Sequence, residues 1–565
     1  MRVLFFFITL SFSLFSQERY PKDYFQSPLD IPLQLSGTYG ELRNNHFHSG
    51  MDFRTNRQEG LSVFAAADGY VSRIKIATFG YGKAIYVTHP NGFTTVYAHL
   101  LKASPEIEKY IKAKHYELQS FEIDVFPKRD ELPVIKGKLL AFSGNTGGSG
   151  GPHLHFEFRD TKTEFTINPL LFGYDQFLKD TRPPVLLGIL AYPLHENGVV
   201  NYSQEPVEVN LVQQKDGSYL ASKVLANGAI GFGVHTHDVS DGSYGKNGVY
   251  KIQSTLNGKP SFGVQFDTFS FDETRHINHY IDYKRYKKTT QRYQKLFVKN
   301  PYDLSLVQNN PTTGIIEVQP NMNYSYKIIL EDFNKNKTTV TIPIQHAVME
   351  PKILKKESKS IYKIKYKNEH SYVKDSVSVY IPEMTFYEDT TVDFDVSDGM
   401  VQFGTSDIAL RSNLTLSIEA KGIPESELSK YFVATVEGTK KSYIKSYLKE
   451  KTFKVYTRNL GKYALEKDTT PPKVTPVQLQ EGQWISASKV LQFLISDEGS
   501  GIQSYNGYLN DRWILFEYDY KTQKIIHDFS DNVVKEGRND LKLIVVDHVG
   551  NSTIFETHFF RTQKP

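Results

Sequence analysis

His48 and Asp52 stand four residues apart, and His153 and His155 stand two apart. In a strand, residues two or four apart point to one face, so each pair projects its side chains together. Imidazoles and carboxylates are ligands of catalytic zinc, which binds them at about 2.0–2.2 Å and keeps one coordination position open for chemistry. His48, Asp52 and His155 make such a set, with two neutral donors, one anion and a free fourth position. The sequence has 0 cysteines, so any metal site must be built from His, Asp or Glu, and no disulfide is available.

The elements that must position these residues are short strands and glycine loops. Ala84 to His89, the turn Pro90-Asn91-Gly92 and Phe93 to Tyr97 read as a β-hairpin that delivers His99 at its end. Ser143 to Pro152 is glycine-rich and leads into the strand that begins at His153. It lacks the Lys-Ser/Thr of a phosphate-binding loop, and a strand follows it rather than a helix.

Together these motifs resemble the M23 peptidases, the lysostaphin/LytM-type zinc endopeptidases. The resemblance spans about Gly37 to Leu171. It rests on His48-Ser49-Gly50-Met51-Asp52-Phe53, Val63 to Val71, Gly80-Tyr81-Gly82-Lys83, Tyr97-Ala98-His99-Leu100 and Ser143 through Glu157. It implies one Zn2+ per chain on His48, Asp52 and His155, with His99 and His153 as catalytic histidines. It also implies cleavage of peptide bonds in the stem or cross-link peptides of peptidoglycan. The alternative is a silent or autoinhibited LytM-like scaffold that binds cell wall or activates another wall hydrolase. All five residues are present, which favours the enzyme. The expected fold is mainly β: an antiparallel LytM-type sheet followed by β-sandwich, immunoglobulin-like modules.

One departure is a long segment after His99, about residues 102–132, in which Ile107, Tyr110, Ile111 and Leu118 fit one face of a helix. The segment is expected either to pack on the side of the domain or to act as a flap over the groove.

At 565 residues the chain exceeds one core, and it divides along its composition. Residues 1–16 read as a signal peptide, with Arg2 before an apolar run to Phe15 and a cut after Ser16. The expected location is therefore exported: periplasm, cell surface or secreted. The mature protein is expected to lack a transmembrane segment. The peptidase domain is expected over 17–182, sandwiches over 183–345 and 468–565, and a β-rich domain of unassigned family over 346–467. Two similar hinges, Asp180-Thr181-Arg182-Pro183-Pro184 and Asp468-Thr469-Thr470-Pro471-Pro472, introduce the sandwiches. The modules leave room for wall or surface partners. The net charge of +4 is too dispersed for nucleic acid. His235, His237, His276 and His279, and Asp238, Asp241 and Asn247, read as strand and turn residues, not as a second metal site.

Overall fold

The strand His153–Asp160 sets the layering of the first domain. Its odd positions carry His153, His155, Glu157 and Arg159, while Leu154, Phe156 and Phe158 fill the opposite face and are fully buried. The apolar face packs on Phe53, Tyr97, Phe172 and Tyr174. Burying each such side chain contributes roughly 1.5–3 kcal/mol. The polar face is thereby fixed as the other side of a rigid sheet. The computed structural model describes residues 19–195, 198–242, 245–308, 313–356 and 359–562. The signal segment read at 1–16 lies outside the described residues.

The sheet runs Leu35–Gly37, Met51–Arg54, His153–Asp160, Phe93–Ala98, Lys83–Thr88, Gly69–Ile76 and Ile123–Val125. All of these neighbours pair antiparallel. A second sheet joins Ser62–Phe64, Leu139–Phe142 and Lys102–Ala103. The expected hairpin is present, with Thr88 opposite Thr94.

The inserted helix spans Pro105–Leu118, with proline in its first turn and Glu106 and Glu108 suited to the positive end of the dipole. Its buried face is Ile107, Ile111 and His115, four residues apart each time. Leu118, expected on that face, is 52% exposed. Leu118 is the last helical residue: Gln119 takes a left-handed backbone, its N–H bonds the His115 carbonyl, and the helix stops there with Leu118 at its exposed end. The helix lines a space with Ile74, Ile76 and Ile85, so it covers the flank of the sheet.

The second region contains a twelve-stranded sheet system organised on the long strand Val224–His237. The C-terminal half of this strand pairs antiparallel with Val185–Pro193, and its first residues pair in parallel with Lys337–His346. Two five-stranded sheets follow between Tyr362 and Lys467, if the separate pair Tyr362–Ile364 and Thr390–Val392 is set aside. Four- and five-stranded sheets form the last module, Lys473–Arg561. Each region has its own apolar core.

The regions also touch. Thr268–Phe269 of the second region adds to the first domain's sheet by pairing with Thr166–Ile167. The last module folds back onto the first domain. Trp513 and Leu515 join its core beside the inserted helix, Lys83 pairs with Glu517 at 2.7 Å, and Lys112 and Tyr116 both bind Asp531.

Candidate active site

Register brings the separated motifs together. His155 lies directly across the ladder from Asp52 on one side and from Ala98, the residue before His99, on the other. His48 reaches the same point from the turn before Met51–Arg54. A Cβ at Gly50 in that turn would collide with the Phe156 carbonyl, so glycine is required for the two segments to approach. His99 closes the hairpin strand with a left-handed backbone, φ 58°, an unusual conformation for a non-glycine residue.

Three ligand-capable atoms converge. His48 Nε2 lies 3.0 Å from His155 Nδ1 and 3.2 Å from Asp52 Oδ1, and His155 Nδ1 lies 2.9 Å from Asp52 Oδ1. Each imidazole is oriented from behind. His48 Nδ1 donates to the Thr38 carbonyl at 2.7 Å, which leaves the lone pair on Nε2. His155 Nε2 donates to Glu157 Oε1 at 2.8 Å, which turns Nδ1 toward Asp52. Such outer hydrogen bonds fix tautomer and ring orientation in metal sites.

Two more histidines border the cluster. His153 Nδ1 donates to the Gly151 carbonyl at 2.8 Å, and its Nε2 is buried without a hydrogen-bond partner, 3.4 Å from Asp52 Oδ1. His99 Nδ1 donates to the Thr146 carbonyl at 2.8 Å, and its ring centre lies 4.7 Å from that of His153. His46, by contrast, turns back to the Asn44 carbonyl.

The electrostatics suit a cation. Burial pushes the His48 pKa down to about 4, so this imidazole is neutral at pH 7 and its contact with Asp52 is not an ion pair. Burial pushes Asp52 up, but its contacts with the surrounding imidazoles outweigh this and hold the carboxyl well below its usual range. Burial also pushes His155 down, yet its hydrogen bonds to Asp52 and Glu157 outweigh this and lift it to about 9. His155 and Asp52 share a proton that a divalent cation held there would have to displace. The donor set and the orphaned Nε2 of His153 therefore fit a divalent metal ion on His48, Asp52 and His155.

Several supporting residues were not anticipated from the sequence. Glu157, fully buried, accepts from Ser49 at 2.5 Å, from Tyr81, and from Arg159 Nε at 2.8 Å. Arg43 binds the other oxygen of Asp52. Thr38, whose carbonyl holds His48, accepts from the Gly248 N–H at 2.8 Å, and Phe47 packs near Phe266 and Phe269. The second region thus braces the ligand-bearing turn. Glu157 and Arg159 had one legible signal, the alternation that puts them on the face of His153 and His155.

Residues 46–116, which contain His48, Asp52 and His99, match peptidase family M23. The chain carries an M23 peptidase domain. Residues 361–468 match the Zu5-like domain, which supplies a family for the region that sequence patterns left unassigned. An uncharacterized metalloprotease of Haemophilus influenzae is 29% identical over 155 residues, 26% of this chain and 27% of that protein. The DD-carboxypeptidase/endopeptidase Mpg of Neisseria meningitidis serogroup B is 33% identical over 118 residues, 21% of each chain. The peptidoglycan DD-endopeptidase ShyC of Vibrio cholerae is 26% identical over 145 residues, 24% of this chain and 27% of that protein. The chain therefore spans about a quarter of the length of these curated relatives. His153 and His155 lie beyond the matched segment and join the M23 site through strand pairing.

Proposed function

We propose that the protein is an exported zinc metalloendopeptidase that hydrolyses peptide bonds in the stem or cross-link peptides of peptidoglycan. One observation carries the reading: His48 Nε2, Asp52 Oδ1 and His155 Nδ1 converge within 3.2 Å of one another, with His99 and His153 beside them. Similarity to a peptidoglycan DD-endopeptidase supports the substrate class. The apolar leader at 1–16 supports export. Among the described residues, no helix is long and apolar enough to cross a membrane.

His48, Asp52 and His155 would hold the zinc, which when bound supplies Lewis acidity to the scissile carbonyl and acidifies the attacking water. Arg43 and Glu157 keep two of these side chains in place from outside, Arg43 on Asp52 and Glu157 on His155. Burial first, then the neighbouring His155 and His153, hold the His99 pKa down to about 3, so it is neutral at pH 7. Its Nδ1–H is committed to Thr146, which leaves Nε2 as its proton-accepting atom. His153 has the same arrangement, with Nδ1–H on Gly151 and a free Nε2. Such a pair can take a proton from water and, once one of them carries it, donate to the developing oxyanion, general acid–base help that is typically worth about 10²–10⁴-fold.

Mass spectrometry of purified peptidoglycan treated with the zinc-loaded protein, beside His153→Ala, tests this reading. New peptide ends are expected only with the unmutated protein. Zinc bound at one equivalent with no new ends would sink the enzyme reading.

A further inference from the structure

The two hinges share more than their sequence. The aspartate before the prolines meets two others in each case: Asp180 with Asp238 and Asp332, and Asp468 with Asp497 and Asp547. One carboxylate oxygen from each member of a trio lies within 4.8 Å of the others. The scaffolding repeats as well. Asn336 Nδ2 donates to the Asp180 carbonyl at 3.3 Å and to Asp332 Oδ2 at 2.7 Å, while Asn551 Nδ2 donates to the Asp468 carbonyl at 3.1 Å and to Asp547 Oδ2 at 2.7 Å. Thr338 and Thr553 then bind the carbonyls of Pro184 and Pro472. Asp238 had read from the sequence as a turn residue; in the fold it is one corner of a trio whose other members are distant in sequence.

Three carboxylates brought together away from water repel one another and cost desolvation unless something neutralises them. The donors that orient them do not. Asp332 and Asp547 accept from amides of Asn336, Val549 and Asn551, and Asp468 and Asp497 accept from the backbone of Thr470, Ser500, Gly499 and Gly501. Unused acceptors remain. Asp238 is 6% exposed, and its Oδ1 is buried with no hydrogen-bond partner. In the second trio Asp497 Oδ1 and Ser500 Oγ are likewise buried and unpartnered, with Ser500 1% exposed. Burial first, then the neighbouring aspartates, pushes the Asp238 pKa up to about 8, and burial lifts Asp180 to about 6. Arg182 is exposed and weighs less at Asp238 than burial and the neighbouring aspartates, and at the second trio Lys430 Nζ binds Asn551 Oδ1 at 2.6 Å.

We propose that each hinge binds one calcium ion, through Asp180, Asp238 and Asp332 in the first module and Asp468, Asp497 and Asp547 in the second. The donors are all hard oxygens, which suits calcium with its six to eight oxygen ligands, backbone carbonyls and water completing the shell. Zinc prefers nitrogen or sulfur ligands, so the two ions sort to different sites. The bound ion would tie the residue that starts each proline hinge to the body of its own module, and so fix the angle at which the module leaves its predecessor.

The test is calorimetric titration of the full, zinc-loaded chain with calcium after calcium is stripped. The expected result is two equivalents with Kd below about 1 mM. Asp238→Asn and Asp497→Asn should each retain one equivalent, the double variant none, and Asp216→Asn, an exposed turn residue, both. No saturable binding by the unmutated chain overturns the proposal without reference to any variant. A single equivalent overturns it for whichever module's variant leaves that equivalent unchanged. A calcium-dependent rise in the melting temperature of the unmutated chain, absent in the double variant, is the second expected readout. Circular dichroism establishes that the variants are folded.

Discussion

Glu157→Gln is the most informative single substitution at the M23 site. Glu157 Oε1 accepts from His155, Ser49 and Tyr81, and Oε2 accepts from Arg159 at 2.7–2.8 Å. Glutamine has one acceptor oxygen and must turn its NH₂ toward one of these two sets of donors. If the oxygen faces Arg159, the NH₂ faces His155 Nε2, which must then lose its proton and leave the ring's remaining one on Nδ1, the atom meant for the metal. If the oxygen faces His155, the NH₂ opposes a buried guanidinium. Loss of such an orienting partner costs about 10–100-fold in metal affinity, or about 1.4–2.7 kcal/mol. In that second orientation the cost falls on stability instead, roughly 3–5 kcal/mol, because Arg159, its side chain 5% exposed, keeps only the exposed Glu164 as a carboxylate partner. Glu164→Gln removes only the exposed partner of Arg159, 56% accessible and 3.2 Å away, and should cost about 0–1 kcal/mol. Chelator-competition titration gives the zinc affinity, and urea unfolding of the zinc-free protein gives the stability. A folded Glu157→Gln protein with both zinc affinity and stability unchanged would refute the claim that Glu157 holds His155 and Arg159 in place.

Other consequences are equally open to measurement. The pKa of Asp238 is raised from 3.8 to about 8, so the calcium-free folded state holds a proton that the unfolded state releases. Its contribution to stability is complete below about pH 4 and is lost as the pH rises through 8. The melting temperature without calcium should therefore fall from pH 5 to pH 9, and Asp238→Asn or saturating calcium should flatten the fall; the same slope in all three would count against the buried trio. Lys521 Nζ donates to the Asn145 carbonyl at 2.6 Å, next to the Thr146 that holds His99. Lys521→Ala should lower kcat by about two- to tenfold with little change in KM, the worth of one hydrogen bond, and an unchanged kcat would mean that the last module leaves His99 alone. Gly50→Ala forces a methyl against the Phe156 carbonyl and should cost about 1–3 kcal/mol in urea unfolding, with a matching loss of zinc binding.

The pairs His48/Asp52 and His153/His155 were legible as pairs because strand periodicity and glycine turns are local properties, while the roles of the five residues, His99 among them, were read from the resemblance to M23 peptidases. His153 and His155 share a face for that reason, and the hairpin delivers His99 as expected. What escaped the sequence comes from partners far along the chain. Gly248 reaches Thr38 across 210 positions, and Glu517 reaches Lys83 across 434. No periodicity encodes such pairings. The inserted helix was legible as a helix, but Leu118 at its C-terminal end is exposed, because periodicity assigns a face and not how far along the helix that face is covered. The hinge motifs were visible as a repeat, yet Asp238 and Asp332 lie too far from Asp180 to be read as its neighbours.

The return of the last module to the first domain turns a string of modules into a closed linkage. In an open string each hinge swings independently. When the ends grip each other through Trp513, Glu517 and Asp531, a rotation at one proline hinge must be matched by rotation elsewhere in the circuit. Closing a fully flexible loop of 434 residues would cost up to about 5 kcal/mol, and the folded middle of the chain lowers that figure by shortening its freely jointed part. The circuit closes beside the Tyr520–Lys521 turn, which binds the Gly147 and Asn145 carbonyls at the rim of the histidine cluster. Opening the circuit there would free the groove rim and both hinges at once.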